Sequence, residues 1–373
     1  MATLSTVPSV AVRILHAEAP SSAGPLTAGL ASVRGDLAVR LAEAFRSAGA
    51  DDVKIVAGRP DDTPFGARLH DLADATGASG LVVVGSGSLA LARPSDLRPF
   101  IETATLDRPA VLANNRFSAD AVAVARARFV LRDVPADLRS DNALPGWIEE
   151  HLGVAVDDLR GRWRLAVDVD TPLDAVLIGA MPIPNGSPIG ERLATVAAVM
   201  ADPSAELLVA GRTSARTMRW LERRTACRVR LVVEERGLRA STRMTGGHEV
   251  GRSGSEAAGA AADVAAAAQR PPGSILGALL ESVGAVALGA ELSRLAEAAL
   301  IDTRVLLAHR LGAGEAPWPW AEDRYASDLL LADRIEDPWL KVLTSAALDA
   351  PIPILLGAHT LVGPGVRLVA RWT

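Results

Sequence analysis

Leu165-Ala166-Val167-Asp168-Val169-Asp170-Thr171-Pro172-Leu173-Asp174 passes from an apolar run into three carboxylates within seven residues. Read as a strand end, it puts Asp168 and Asp170, two apart, on one face. Pro172 at the first position of a following helix then brings Asp174 close to them. Carboxylates grouped in this way suit a hard divalent cation that bridges phosphates, Mg²⁺ above all. The same residues also read as an exposed strand end in which Thr171 or Asp170 simply caps the next helix. At this point both readings stand.

Upstream of this stretch, short Val- and Leu-rich runs alternate with longer segments of helical period, the pattern of an α/β domain with a mainly parallel sheet. Strands are expected near 10–17, 53–57, 80–85, 110–113, 128–132 and 164–169. Between them, Leu30, Val33, Leu37, Leu41 and Phe45 form the buried stripe of a helix ending at Gly49. Shorter helices are expected over 65–76 and 95–105, the latter capped by Ser95. In open sheets of this kind ligands lie beyond the carboxyl ends of the strands. That rule selects His16, Glu18, the turn Gly85-Ser86-Gly87-Ser88, Asn114, Asn115 and Asp168 as one rim. Backbone N–H groups of the glycine-serine turn are candidates to hold an anion, and the two carboxamides to read a base or ribose edge. The glycines and asparagines equally suit plain turns.

The segment Asp168-Val169-Asp170-Thr171-Pro172-Leu173-Asp174-Ala175 resembles the D-[IV]-D-T-P-x-D-[LA] signature of nucleotidyltransferases with a glycosyltransferase-A-like fold, in particular the guanylyltransferases of deazaflavin and molybdenum cofactor biosynthesis. Ser140-Asp141-Asn142-Ala143-Leu144 is similar to the G-T-N-A-L piece of the deazaflavin group, and the resemblance covers roughly residues 130–178. It implies a nucleotide-diphospho-sugar-transferase-like sheet with helices on both faces over 1–180. It also implies Mg²⁺ on Asp168 and Asp170 as catalytic residues and a nucleotide held near His16, Glu18, Arg34, Asn142 and Thr171, with GTP as a candidate donor. Two departures stand beside it. The loop Ala19 to Gly29 after the first strand has no lysine, the chain's two lysines being Lys54 and Lys341, so phosphate charge falls to arginine, with Arg34 and Arg13 nearest. After the strand Leu81-Val82-Val83-Val84, where the family carries an aspartate, the chain reads Gly85-Ser86.

A second α/β domain, 191–373, is expected after the bend Met181-Pro182-Ile183-Pro184-Asn185-Gly186. It restarts with a strand at 206–212, a helix at 214–224 and a strand at 229–233. Residues 241–273, dense in Gly, Ala, Ser and Arg, read as a mobile insertion. Helices near 274–283, 289–310 and 326–348, the last broken by Pro338, precede strands at 352–356 and 366–371. Ligand candidates here are Arg212 and Ser214, able to hold a phosphate or carboxylate at a helix N-terminus, with Asp302, Arg304, Asp328 and His359. Arginine and aspartate interleaved at helical spacing also read as ion pairs.

Composition sets the bounds. A chain of 373 residues, 49% hydrophobic and only 3% aromatic, builds large cores from small side chains and suggests two domains. A net charge of −5 argues against a general nucleic-acid binder, which needs a basic face. The lone cysteine, Cys227, excludes an internal disulfide framework. Without a secretory signal or a membrane-length apolar run, a cytoplasmic location is expected, with small-molecule partners, no membrane, and a homo-oligomer compatible with the chain. The functional expectation is Mg²⁺-dependent transfer of an NMP from an NTP to a small phosphorylated or carboxylated acceptor. The alternative is a catalytically degenerate relative that binds a nucleotide or metabolite. A sugar-nucleotide glycosyltransferase ranks third, lacking a central D-x-D.

Overall fold

A computed structural model describes residues 9–138, 140–234, 273–312 and 315–372. The chain divides into two compact units, Met1–Met181 and Pro182–Thr373. The insertion expected at 241–273 falls almost wholly outside the described residues.

The first unit runs β1 (Val10–Ala17), α1 (Pro25–Ala48), β2 (Asp52–Gly58), α2 (Phe65–Asp74), β3 (Gly80–Gly85), α3 (Pro94–Ala104), β4 (Ala110–Ala113), β5 (Ala121–Ala125), α4 (Ala127–Leu131), α5 (Leu144–Leu152), β6 (Val156–Asp158) and α6 (Pro172–Leu177). Its six strands lie in the order β2-β1-β3-β5-β4-β6, all parallel except β5, which runs against both β3 and β4. Strand alternation sorts the core onto two faces. Val10, Val12 and Ile14 join Phe45 of α1 and Phe100 of α3 on one side, while Ala11, Leu81 and Val83 join Leu69 of α2 and Ile148 of α5 on the other.

Two expected strands are absent. Residues 128–131 belong to α4, with Arg132 just after it, and the strand comes earlier, at β5, whose sequence Ala121-Val122-Ala123-Val124-Ala125 is buried throughout. Its alanines carry too little apolar bulk to stand out in a pattern that Phe129, Val130 and Leu131 dominate. Residues 164–169 are a 3₁₀ turn over Trp163–Ala166 followed by extended chain, not a strand. The acidic segment therefore meets the sheet end through one backbone contact, Val169 N–H to the Gly87 carbonyl at 3.0 Å.

The second unit runs α7 (Ile189–Ala201), β7 (Glu206–Gly211), α8 (Ala215–Arg224), β8 (Arg228–Val233), α9 (Ile275–Val283), α10 (Leu288–Ser293), β9 (Ala298–Asp302), α11 (Thr303–Leu311), α12 (Ala321–Asp328), α13 (Pro338–Leu348), β10 (Ile354–Gly357), α14 (His359–Val362) and α15 (Val366–Val369). Its four strands are parallel, in the order β10-β9-β7-β8. The helix expected over 289–310 is in fact helix, strand and helix. Ala298-Ala299-Leu300-Ile301 is buried on both sheet faces, and such a short continuous apolar run carries no period to tell strand from helix. The last expected strand, 366–371, is instead α15 and the turn after it. Among the described residues no single helix is long and apolar enough to cross a membrane.

The chain steps outward from β7 to β8 on one side and from β9 to β10 on the other, so β7 and β9 flank the point where strand order reverses. Gly211 ends β7 there with φ +127°, and a β-carbon on it would lie 2.2 Å from the Asp302 Cβ. Both the backbone angle and the space demand glycine. Gly211→Ala is expected to cost about 3 kcal/mol or more, adding backbone strain to a displaced buried carboxylate, read as a lower urea midpoint at unchanged m-value.

Candidate functional site

The glycine-serine turn after β3, the acidic segment and the middle of α1 come together in the first unit. Arg34, from α1, donates from Nε to the Val169 carbonyl at 2.7 Å and from Nη2 to Asp170 Oδ1 at 3.1 Å. A β-carbon on Gly87 would stand 2.9 Å from the Val169 carbonyl oxygen, 3.1 Å from Arg34 Nε and 3.3 Å from Asp168 Oδ1. Gly87 thus packs close against the Val169 carbonyl, the Arg34 guanidinium and the Asp168 carboxylate, with no room for a β-carbon. His16, at the end of β1, shares a hydrogen bond between its Nδ1 and Ser86 Oγ at 3.1 Å.

Electrostatics single out the carboxylates. Burial is the largest influence on Asp168, followed by repulsion from Asp170 and Asp120. Together they lift it well above the usual carboxylate range against the pull of Arg34. Asp120, at the head of β5, is pushed up to about 7 by burial and by Asp141 and Asp170, with the Asn114 hydrogen bond acting the other way. Burial and Asp170 likewise raise Asp141. Four aspartates share one field, and sequence reasoning singled out only Asp168 and Asp170. Asp120 preceded an unrecognised strand, and Asp141 lay inside the Ser140–Leu144 motif, from which only Asn142 was carried forward.

Several expected ligand contacts are instead structural. Thr171 caps α6: its hydroxyl accepts the Asp174 N–H at 3.2 Å, while Asp174 Oδ2 accepts from the N–H groups of Thr171 and Asp170. Asp174 is therefore the far half of a capping box, and not a third metal ligand. Asn114 spends both amide hydrogens on Asp120 Oδ2 and the Leu165 carbonyl, and both lone pairs on the N–H groups of Asp120 and Ala121. Nothing of its side chain is left for a base edge. Asn115 closes an Asx turn onto Phe117 N–H, and Asn142 accepts from Ser118. The 85–88 turn is no anion nest, because the N–H groups of Gly85, Ser86 and Ser88 donate to Asp120, Leu15 and Gly85 carbonyls. Arg13 is buried and bound to Asp52, so it offers no phosphate contact, and Glu18 is exposed beyond the end of β1.

In the second unit the structure gathers most of the named candidates at the strand-order reversal. Arg212 grips Asp302 with two bonds, Nε to Oδ2 at 2.7 Å and Nη2 to Oδ1 at 3.1 Å. Asp302 also caps α11 through the Arg304 N–H. Arg304 in turn grips Asp328 of α12, Nη2 to Oδ2 at 2.7 Å, with both side chains buried. Burial opposes the charge on Asp302, but Arg212, His359 and Arg304 outweigh it and hold its carboxyl below the usual range. Ser214 caps α8 by accepting the Thr217 N–H. These residues form an ion-pair network that ties the ends of β7 and β9 to α11 and α12.

Two measurements follow from these charges. The native form of Asp120 keeps its proton up to about pH 7, whereas an unfolded aspartate loses it near 4. Stability should therefore fall as pH rises between those values and level off above them. Asp120→Asn should remove that slope, gaining on the parent by on the order of 2–4 kcal/mol at pH 8 and by little at pH 4; an equal effect at both would contradict it. Asp328→Ala strands the buried Arg304 and should cost about 3–5 kcal/mol in urea denaturation.

No family model matches the chain, and no curated protein matches it. Among solved structures it is similar to a nucleotidyl transferase from Methanothermobacter thermautotroptrophicus (Mth528), at 18% identity, with 46% of this chain and 95% of that one covered and a TM-score of 0.32. It is also similar to HddC from Yersinia pseudotuberculosis complexed with GMP-PN, at 13% identity over 45% of this chain and 96% of that one, with a TM-score of 0.28. Likeness at this level does not carry function, which must be argued from the site itself.

Proposed function

We propose that the first unit binds a nucleoside triphosphate at the ends of β1 and β3 and transfers its nucleotidyl group to a small phosphorylated or carboxylated acceptor. One observation carries this reading: Asp168, Asp170 and Arg34 converge beside the turn at Gly87. The donor set is all oxygen and fits a hard cation. Among the described residues no three acidic, histidine or cysteine side chains are disposed to hold a metal by themselves. Mg²⁺ commonly asks for only one or two carboxylates, because phosphates and water complete its shell.

Asp168 and Asp170 would hold Mg²⁺, which would supply neutralisation of the charge that develops on the phosphates. Arg34 is anchored through Nε to the Val169 carbonyl, so its orientation survives an exchange at Nη2 of Asp170 for a phosphate oxygen. Catalysis is then positioning: the acceptor oxygen bonds to the α-phosphorus in line as the bond to the diphosphate leaving group breaks.

The alternative, nucleotide or metabolite binding without turnover, draws support from cations engaged elsewhere. Arg13 and Lys54 both lie against Asp52 of β2, Arg34 already meets Asp170, and the glycine-serine turn has spent three of its N–H groups.

A thermal-shift screen of the four NTPs, with and without Mg²⁺, on the parent and on Asp168→Asn/Asp170→Asn, paired with a diphosphate-release assay, separates the readings. A ligand at a hundredfold excess over its Kd stabilises by about 2.7 kcal/mol, a shift of several degrees. The transferase reading expects one NTP to give that shift only with Mg²⁺, with diphosphate release in the presence of acceptor, both lost in the variant. A metal-independent shift without release supports the binder. No shift with any nucleotide overturns both.

A further inference from the structure

The second unit carries a charge cluster that the ion-pair network at its strand ends does not use. On α8, Arg216, Trp220 and Arg224 stand four residues apart and so share one face, spanning about 12 Å. The guanidinium of Arg367, in α15, lies over the Trp220 ring, 5.3 Å from its centroid. Arg371 follows four residues after Arg367, in the turn that ends α15. Arg367 thus sits on Trp220 within the fields of Arg216, Arg224 and Arg371.

Three features of this arrangement are unfavourable by themselves. Arg216 occupies the first turn of α8, where the helix dipole disfavours a cation. Among the described residues its Nη1 is buried with no hydrogen-bond partner, a loss comparable to an unmade charged hydrogen bond. Arg367 is pressed by burial and then by Arg216, Arg371 and Arg224, all of which push its pKa down. The ordinary role of arginines on a helix, complementing the dipole at the C-terminus, accounts for Arg223 and Arg224 but not for Arg216. A bound anion would offset both the dipole at Arg216 and the repulsion on Arg367.

We propose that Arg216, Arg367, Arg371 and Arg224, packed about Trp220, form a binding site for a phosphate group carried by a small molecule. The favoured ligand is compact because the charges converge on Arg367 instead of running as a stripe along the surface. A polynucleotide, whose phosphates are spread out, asks for the stripe. Guanidinium forks supply the paired donors that phosphate oxygens accept. The site is independent of the nucleotide reading of the first unit, since every residue in it belongs to the second.

The test titrates the full chain with inorganic phosphate, diphosphate and glucose 6-phosphate at an ionic strength held constant with chloride, reading thermal midpoint and tryptophan fluorescence. At least one of the three should raise the midpoint by several degrees and change the fluorescence. A response to all three marks the bare phosphate as the recognised group, and a response to the sugar phosphate alone marks an organic phosphate. Arg216→Gln should weaken the response about tenfold or more, the loss of one charged hydrogen bond, while relieving repulsion and so keeping the fold. Arg367→Gln should do the same and also alter the fluorescence. Arg219→Gln, on the exposed side of α8, and Asp168→Asn/Asp170→Asn, in the other unit, should respond as the parent does. The proposal is overturned if no anion acts beyond chloride, if the response survives both Arg216→Gln and Arg367→Gln, or if a single-stranded RNA binds through these arginines while all three small anions do nothing.

Discussion

The acidic segment that carries the first site has no strand to belong to, and everything about that site follows from how it is pinned instead. One backbone hydrogen bond, Val169 to Gly87, sets its position along the sheet end. Arg34 takes the Val169 carbonyl and so reaches across from α1. The Thr171–Asp174 capping box fixes where the chain turns into α6, and Asn114 ties the Leu165 carbonyl to the start of β5. These anchors lie on both sides of Asp168 and Asp170 in sequence. They hold the carboxylates near Asp120 and Asp141 in spite of the repulsion this entails. Carboxylates crowded against a cost are the feature on which the proposed cation site rests.

The two units treat the same element in opposite ways. Each puts aspartates at the carboxyl ends of parallel strands, where open α/β sheets receive ligands. In the second unit Asp302 is surrounded by Arg212, Arg304 and His359, and its charge is more than matched. Its oxygens are spent on Arg212 and on the start of α11, so the carboxylate works as a joint between β9, β7 and two helices. In the first unit, among the described residues, Arg34 meets Asp170, while burial and their neighbouring aspartates raise Asp168, Asp120 and Asp141. Position on the fold is therefore a weaker guide to a site than the local charge balance at that position.

The sequence showed the α/β class, the first three strands and the long α1 because each carries bulky apolar residues in a clear period. It concealed β5 and β9 for related reasons. β5 has three alanines among its five residues, and β9 is apolar from Ala298 to Ile301, so neither shows the apolar–polar alternation that marks a strand. Losing β5 also hid Asp120, whose meaning depends on lying at the head of a strand beside β3. The aspartates of the Asp168–Asp174 motif were visible, yet their division of labour was not. Only the hydrogen bonds separate Asp174, committed to the cap, from Asp168 and Asp170. For Asn114, Ser214 and Thr171 the residue type suited a ligand contact and a structural bond equally, and geometry chose the bond.

The arginine cluster was invisible for another reason. Arg216 and Arg224 belong to one helix, but Arg367 and Arg371 lie some 150 residues further along, about α15, in a segment that reads as a strand. Only when that segment folds as a helical turn does Arg367 reach Trp220. A net charge of −5 then says nothing about this face, because the excess of carboxylates is distributed over the chain while the guanidiniums are gathered. The chain thus concentrates opposite charges in different units, carboxylates around Gly87 in one and guanidiniums around Trp220 in the other. The cation-assisted site proposed for the first unit and the anion site proposed for the second therefore share no residue.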